Sequence, residues 1–287
     1  MKLRTIQQVT TAMPVKMDAE TIYQPFPSHA LREVDPFILL HHWGPYTFPK
    51  NNSALSIGAH PHRGFEPVTF IFHGEVHHRD SMGNDSIIKE GGVQWMTAGK
   101  GVMHSEMASD DFHKNGGKFE IIQVWMNLPK SLKMSTPLYQ GLQKNDIPAL
   151  TKDSGKVKVN VASGKFEDAA GPIKSVTNID AYTIYMEEGG KTVFEIDEKK
   201  NVMFYLLEGS VIVNEKRIEN GRNAITFNFG GTGISIEATS QSKILLLAGE
   251  PLHEPVAQYG PFVMNTHEEL QEAFEDFSKG KMGVLND

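Results

Sequence analysis

The sequence predicts an all-β protein made of two antiparallel β-barrels of the jelly-roll type, followed by a short C-terminal helix. Short apolar and β-branched runs are interrupted throughout by Gly, Asn and Asp, which is typical of sandwiches and barrels with many short strands. The two halves of the chain also share a weak sequence pattern, so one barrel in each half is expected.

The strands are clearest in the second half. Seven apolar segments follow one another within about seventy residues, and turn-like sequences such as Glu-Gly-Gly at residues 188–190 separate them. A series of short strands at this density predicts a barrel. The seven predicted strands are residues 182–186, 192–196, 203–207, 211–213, 224–229, 234–237 and 244–247.

The first half carries a similar but less regular pattern. Residues 69–76 (TFIFHGEV) align with residues 204–211 (FYLLEGSV) around a shared glycine, which indicates a duplicated barrel. The strands predicted in this half are residues 66–72, 75–78, 86–89, 94–97 and 119–128.

The stretch between the halves and the C-terminal end differ from this pattern. Residues 130–158 are rich in Lys, Ser, Thr, Pro and Gly and predict a linker with peripheral structure. Near the end, Thr266 and Glu269 predict a capping box, an apolar face follows at helical spacing, and Gly280 predicts the end of a packing helix. We therefore predict two domains, residues 1–135 and residues 136–287, with the helix in the second.

Composition excludes several kinds of function. The chain has 28 Lys and Arg against 35 Asp and Glu, and the net charge of -7 disfavours direct nucleic-acid binding through phosphates. There is no cysteine, so disulfides, thiolate metal sites and cysteine nucleophiles are excluded. No segment approaches the ~20 apolar residues of a membrane span, and the N-terminus lacks a signal-peptide pattern, so a cytoplasmic protein is expected.

Histidine is distributed very unevenly along the chain. Ten of the 12 histidines fall at or before His113, none lies between residues 114 and 252, and only His253 and His267 follow. Any chemistry that depends on imidazole is therefore expected in the first half.

Two short clusters in that half have the spacing of metal ligands. His60 and His62 are two residues apart, so a strand with period two would point both imidazoles to the same side. His104 and Glu106 repeat that spacing about forty residues later, a distance over which a barrel returns the chain. If both strands line one interior, four ligands converge on one ion.

Three imidazoles and a carboxylate suit iron(II), manganese, nickel, copper or zinc better than calcium or magnesium. Taken alone, a His-x-His pair is more often a surface or core feature than a metal site. Glu66 is also a competitor for the carboxylate position, because it shares the parity of His60 and His62. We favour Glu106 as the ligand and Glu66 as a carboxylate that orients a histidine. His77 and His78 are expected to be exposed or hydrogen-bonded, and His41 and His42 to lie near the barrel mouth.

The chain resembles the pirin family of the cupin superfamily over nearly its whole length. The resemblance rests on six motifs: DPFILL at residues 35–40, HPHRGFE at 60–66, GVQWMTAGKG at 92–101, HSE at 104–106, GEPL through EPV at 249–256, and GPFVMN at 260–265.

This resemblance implies a bicupin in which only the N-terminal barrel binds metal. Carried over to this sequence, the ligands are His60, His62, His104 and Glu106, which decides against Glu66. Counted back from the shared glycine, Glu195 and Asp197 stand at the places of His60 and His62, so the second barrel is expected to be metal-free. The metal expected is one divalent ion, Fe2+ first, with Mn, Ni, Cu, Co or Zn as alternatives.

The resemblance also implies two alternative functions. The first is a quercetin 2,3-dioxygenase that cleaves a flavonol with O2 and releases carbon monoxide, with Glu106 as the general base. The second is a metal-binding regulatory protein that interacts with a protein partner. In either case we expect a monomer. Phe65, Phe70, Trp95 and Met96 are candidates for the cavity wall of the enzyme, and a place in the ordinary barrel core is the alternative for each.

Overall fold

β-strands make up most of the regular structure, in a computed structural model that describes residues 1–17 and 20–285. Because strands predominate, the predicted all-β class is confirmed, and the predicted short C-terminal helix is also present. The helices are α1 (Asp110–Asn115) and α2 (His267–Ser278), and single 3-10 turns lie at Lys144–Asp146 and Asp153–Gly155.

The strands of the first half begin close to the N-terminus. They are β1 (Ile6–Thr11), β2 (Met13–Met17), β3 (Glu20–Phe26), β4 (Phe37–Phe48), β5 (Ser56–His62), β6 (Phe65–His73), β7 (Glu75–Asp80), β8 (Asp85–Lys89), β9 (Val93–Thr97), β10 (Val102–Met107), β11 (Gly117–Asn127) and β12 (Leu138–Leu142).

The described strands of the second half include the seven predicted segments, with bounds that differ by at most two residues, and seven strands that the sequence did not predict. The strands of this half are β13 (Ala149–Lys152), β14 (Val157–Ser163), β15 (Lys165–Phe166), β16 (Ala169–Ala170), β17 (Asp180–Met186), β18 (Lys191–Glu195), β19 (Asn201–Glu208), β20 (Val211–Val213), β21 (Lys216–Ile218), β22 (Asn223–Phe227), β23 (Gly233–Ala238), β24 (Ser242–Gly249), β25 (Ala257–Tyr259) and β26 (Phe262–Met264).

The chain divides into two compact units that exchange segments of sequence. The N-terminal unit comprises Lys16–Ile22, Leu39–Asn145 and Leu252–Asp287, and the C-terminal unit comprises Met1–Val15, Tyr23–Ile38 and Asp146–Pro251. The domain boundary predicted between residues 135 and 136 stays a prediction. In the structure, α2 belongs to the histidine-rich unit, where it contacts β25 and β26.

The C-terminal unit combines a seven-stranded sheet, in the order β1-β22-β19-β24-β17-β14-β13, with a four-stranded sheet, β18-β23-β20-β21. Its core is a cluster of aliphatic and aromatic side chains that includes Phe194 and Ile196. Side chains alternate along a strand, so the neighbouring Glu195 and Asp197 are exposed. The two positions that align with His60 and His62 thus carry outward-facing carboxylates. That this unit binds no metal stays a prediction.

The N-terminal unit also carries a seven-stranded and a four-stranded sheet. The larger has the order β12-β9-β6-β11-β4-β3-β2, and the smaller has the order β5-β10-β7-β8. The smaller sheet therefore places the two strands with the candidate ligands, β5 and β10, next to each other.

The predicted linker is more ordered than its composition indicates. Residues 130–158 contain β12, which pairs with β9, and β13, which pairs with β14. The polar residues of this stretch do not prevent strand formation, because β12 and β13 are edge strands with one side toward solvent.

Helix α2 begins at the predicted capping box. The Thr266 hydroxyl accepts a hydrogen bond from the Glu269 amide, and the Glu269 side chain accepts one from the Thr266 amide. Leu270 and Ala273 are buried, whereas Phe274 remains 37% exposed, so only part of the apolar face is covered. Among the described residues, no helix is long and apolar enough to cross a membrane.

The turn between β5 and β6 is held by buried polar contacts. Gly64 has a φ of +87°, and a Cβ at this position would lie 1.9 Å from the Val263 carbonyl oxygen, so only glycine fits here. Arg63 donates to the Lys100 carbonyl at 2.7 Å and to Asp276 of α2 at 3.0 Å. The helix expected only to pack therefore also anchors the turn that follows His62.

Lys133 supports the same turn from the other side. Its buried ammonium group donates to the Gly64 carbonyl at 2.9 Å, to Asn127 Oδ1 at 2.7 Å and to the Val263 carbonyl at 3.0 Å. Burial lowers the pKa of Lys133 to about 8, although the carboxylates of Glu254 and Glu269 oppose this shift.

Replacing Lys133 by methionine is expected to destabilise the protein by about 2–4 kcal/mol, because three buried acceptors lose their donor. The matched control is Lys130→Met, since the Lys130 ammonium is 67% exposed and lies 3.9 Å from Glu269. This control is expected to change stability by less than about 0.5 kcal/mol. Urea denaturation measures both variants, and equal midpoints for the two would contradict the assigned role of Lys133.

Candidate metal centre

The strand pairing of β5 and β10 brings three of the predicted residues together. In the antiparallel register, His104 lies opposite His60, and Val102 lies opposite His62. His60 and His62 are two residues apart on β5, so their side chains leave the same face. The register shifts between His104 and Glu106, where β5 has one residue more than β10.

The three imidazoles converge closely. The ring centroids of His104 lie 4.3 Å from His60 and 4.8 Å from His62. One ligand nitrogen from each ring lies within 4.8 Å of the other two, and the Nε2 atoms of His60 and His62 are 3.2 Å apart. His62 and His104 are buried, and His60 is partly exposed.

The hydrogen bonds of two rings orient their Nε2 atoms toward each other. His60 Nδ1 lies 2.8 Å from the Gly58 carbonyl oxygen, and His62 Nδ1 lies 3.2 Å from the Pro261 carbonyl oxygen. A carbonyl only accepts, so each Nδ1 carries a hydrogen and each Nε2 of a neutral ring carries a lone pair. Two lone pairs at 3.2 Å repel unless a proton or a cation lies between them.

Burial favours the neutral form of two of these rings. Burial, followed by the neighbouring His60, holds the pKa of His62 well below its usual value. Burial and the other imidazoles likewise lower the pKa of His104. His104 Nε2 is also buried without a hydrogen-bond partner. Neutral imidazoles with converging lone pairs are the donors that divalent transition metals prefer, so the residues fit a metal ion.

Glu106 lies outside this three-imidazole group and is held by its own donors. Its Oε1 accepts from Gln94 Nε2 at 3.1 Å and Thr69 Oγ1 at 3.3 Å, and its Oε2 accepts from Gln123 Nε2 at 2.8 Å. Gln123 is itself oriented by Trp125, whose indole N–H donates to Gln123 Oε1 at 3.1 Å. The carboxylate is thus fixed in orientation beside the imidazoles.

His60, His62 and Glu106 line one cavity of about 290 Å³. This volume is near the lower end of the ~300–1,000 Å³ common for small-molecule sites. His41 also lines it, and burial lowers the pKa of His41 to about 4, so this ring is neutral near pH 7. The remaining lining is mostly apolar: Met17, Trp43, Leu55, Ile57, Ile121 and Trp125 together with Gln123, Gly260 and Pro261.

Of the two roles considered for four apolar residues, cavity wall or barrel core, the structure favours the core. Phe65, Phe70, Trp95 and Met96 are buried, and none of them belongs to the cavity lining. Inward-facing residues of a strand supply both core and cavity, and only the tertiary structure separates the two. The sequence reasoning missed two aromatic lining residues, Trp43 and Trp125, and Trp125 packs on His62 with ring centroids 5.3 Å apart.

The other polar residues weighed for the site have separate partners. The Glu66 carboxylate accepts a hydrogen bond from Thr97 Oγ1 at 2.6 Å. His42 lies 3.2 Å from Glu120. His77 lies 2.7 Å from Asp85, whereas His78 is buried between Asp80 and His104. Period-two alternation from the apolar Val76 could have distinguished these two adjacent histidines, because it places His78 on the buried side of β7.

Comparisons with known proteins identify the family and agree with the fold. The family profile described as Pirin matches residues 18–126, and the Pirin C-terminal cupin domain matches residues 181–283. A Pseudomonas aeruginosa protein named "Putative quercetin 2,3-dioxygenase" is 35% identical over 250 residues, which covers 87% of each protein.

Two solved structures are also similar. The quercetin 2,3-dioxygenase from Acinetobacter baumannii superposes with a TM-score of 0.92 at 36% identity, covering 99% of this chain and all of that chain. A bacterial pirin from Escherichia coli in complex with nickel(II) gives a TM-score of 0.67 at 19% identity, covering 85% of this chain and 99% of that chain. At that identity the likeness concerns the fold alone.

Proposed function

Because this chain belongs to the pirin family and has two cupin domains, we propose that it is a metal-dependent dioxygenase that cleaves a flavonol such as quercetin with O2 and releases carbon monoxide. The observation that carries this proposal is a close group of three imidazoles, two of which line one largely apolar cavity together with the Glu106 carboxylate.

The proposed ligands are His60, His62, His104 and Glu106, and the proposed ion is one divalent transition metal, with Fe2+ first. When bound, such an ion supplies Lewis acidity toward substrate oxygen atoms and the redox capacity needed for chemistry with O2. The nickel(II) complex of a pirin with the same fold supports a transition metal without selecting one.

Glu106 is proposed to act as the general base as well as a ligand. A flavonol gives up the proton of its 3-hydroxyl group before it reacts, and Glu106 is the carboxylate on the cavity wall that can take this proton. Donors from Thr69, Gln94 and Gln123 hold the carboxylate in one orientation, so little reorganisation accompanies the transfer.

The cavity walls are proposed to bind the planar rings of the substrate and to limit the access of water. Trp43, Ile121 and Trp125 offer apolar surface for an aromatic substrate. A largely apolar site also strengthens the electrostatic contacts made inside it. These features support a small aromatic substrate more than a charged one.

Anaerobic loading with iron(II), followed by quercetin and then oxygen, is expected to remove the flavonol absorption band. The same reaction is expected to consume one O2 and release one carbon monoxide per flavonol, because the proposed ring cleavage uses one O2 and releases one ring carbon as carbon monoxide. Metal-free protein is the control. If no first-row metal supports loss of the band, the result favours the alternative of a metal-binding regulatory protein with a protein partner.

A monomer located in the cytoplasm stays our prediction for the working form. Size-exclusion chromatography with light scattering tests the first part, with an expected mass near the 31.9 kDa of one chain. A stable dimer would contradict it.

A further inference from the structure

A row of three side chains leads away from the candidate metal site. His104 Nδ1 lies 3.5 Å from His78 Nδ1, and His78 Nε2 lies 3.1 Å from Asp80 Oδ2. All three residues are buried. The row follows from strand pairing, because β10 lies beside β7 with His104 opposite Asp80 and Glu106 opposite His78.

The Asp80 end of this row is rigid. Asp80 Oδ1 accepts from the backbone amides of Met82 and Asn84 at 2.9 Å and 3.0 Å, and Oδ2 accepts from the Asn84 side chain at 2.8 Å. Burial acts to raise the pKa of Asp80, and the hydrogen bonds from His78 and Asn84 outweigh it, so the pKa lies below its usual value. Asp80 is therefore an ionised acceptor near pH 7.

An ionised carboxylate determines which nitrogen of His78 carries the hydrogen. Because Asp80 only accepts, His78 carries hydrogen on Nε2 and presents the lone pair of Nδ1 to His104. His104 then places its own hydrogen on Nδ1, toward His78. The lone pair of His104 is left on Nε2, the buried atom that has no hydrogen-bond partner and that belongs to the three-imidazole group.

The orientation of the His78 ring is also constrained. The Tyr139 ring stacks on it with centroids 4.1 Å apart and planes 7° apart. Tyr139 is held by its hydroxyl group, which lies 2.7 Å from Ser86 Oγ. Both nitrogens of His78 face partners within the row, so this histidine is placed to orient a ligand and not to be one.

We propose that His78 and Asp80 are positioning residues that hold His104 in the tautomer able to bind metal, an inference that rests on the metal site proposed above. His60 and His62 are set by carbonyl groups, whereas His104 is set by a carboxylate acting through a second imidazole. Partners of this kind orient a metal-binding imidazole and raise its basicity, and their loss commonly weakens metal binding 10–100-fold.

The test compares His78→Phe with His77→Phe. Phenylalanine at position 78 keeps the stack on Tyr139 and removes the acceptor for His104. His77 is the matched control, because it precedes His78 on β7, is partly exposed and lies 2.7 Å from Asp85. Competition with a chelator is expected to show a metal Kd raised about 10–100-fold in His78→Phe and unchanged in His77→Phe.

A spectroscopic measurement separates orientation from loss of fold. In the Co2+-loaded wild type, three imidazoles bound through Nε2 are expected to give three paramagnetically shifted, exchangeable N–H signals. His78→Phe is expected to displace one signal, that of His104, and to leave the other two in place. A Kd within twofold of the wild type with all three signals unmoved would overturn the positioning role while the metal site stands. A wild type that binds no metal would overturn the metal site itself.

If His78→Phe does not fold, Asp80→Asn provides the same test. Two backbone amides point at the Oδ1 position, so the amide oxygen of this variant takes that place and its NH2 group faces His78. His78 must then accept on Nε2 and carry hydrogen on Nδ1, which forces His104 into the wrong tautomer. The metal Kd is expected to rise at least as much as in His78→Phe, and a Kd within twofold of the wild type would contradict the proposal.

Discussion

Replacement of His62 by alanine is expected to lower the metal content of the purified protein from about one ion per chain to almost none. His62 is buried at the centre of the three-imidazole group, with Nε2 3.2 Å from that of His60. Its removal leaves two of the three imidazoles with the Glu106 carboxylate, and iron, nickel, copper and zinc bind less firmly when an imidazole nitrogen is lost.

Elemental analysis of protein purified without an affinity tag measures this loss. His73→Ala is the control, because His73 lies apart from the cavity with Nδ1 2.9 Å from Glu90. The control is expected to keep the wild-type metal content. Full occupancy in His62→Ala would show that the ligand set proposed here is wrong.

Replacement of Glu106 by glutamine is expected to retain most of the metal and to lower turnover by about 10²–10⁴-fold, the usual range for a lost general base. The amide keeps the size of the side chain, so His60, His62 and His104 stay in place. It cannot accept a proton from the substrate at pH 7.

The Glu106→Gln substitution is expected to disturb the hydrogen bonds around this side chain in addition to removing its negative charge. Gln123 donates to Glu106 Oε2 and accepts from Trp125, so an NH2 group at the Oε2 position forces Gln123 to turn or to lose its partner. Trp125 lines the cavity, and its position is expected to change with that of Gln123. A rise in KM alongside the fall in kcat would report this second effect.

Glu66→Gln is the matched comparison, because Glu66 is the other buried carboxylate weighed for this role and accepts from Thr97. Steady-state kinetics and metal content are measured for both variants. If Glu66→Gln abolishes turnover while Glu106→Gln remains active, Glu66 and not Glu106 is the general base.

Much of the fold follows from patterns that act over short distances in sequence. Strand segments such as residues 182–186 and 203–207 appear in the structure with bounds moved by a few residues, and the capping box of Thr266 is present as predicted. Period-two alternation placed His60 and His62 on one side of β5. The polar stretch at residues 130–158 was interpreted as a linker, because composition does not reveal pairing with a distant strand.

The sequence by itself determined the all-β class, the family, and the placement of His60 and His62 on one face of a strand, since these depend on residue type and on spacing along that strand. That His104 joins them follows from the register of β10 against β5. Only the tertiary structure decided which residues surround them. His78 reaches His104 through the register of β7 against β10, and Arg63 reaches Asp276 across 213 residues of sequence. Register and long-range contact arise from the packing of the whole unit, and no local pattern encodes them.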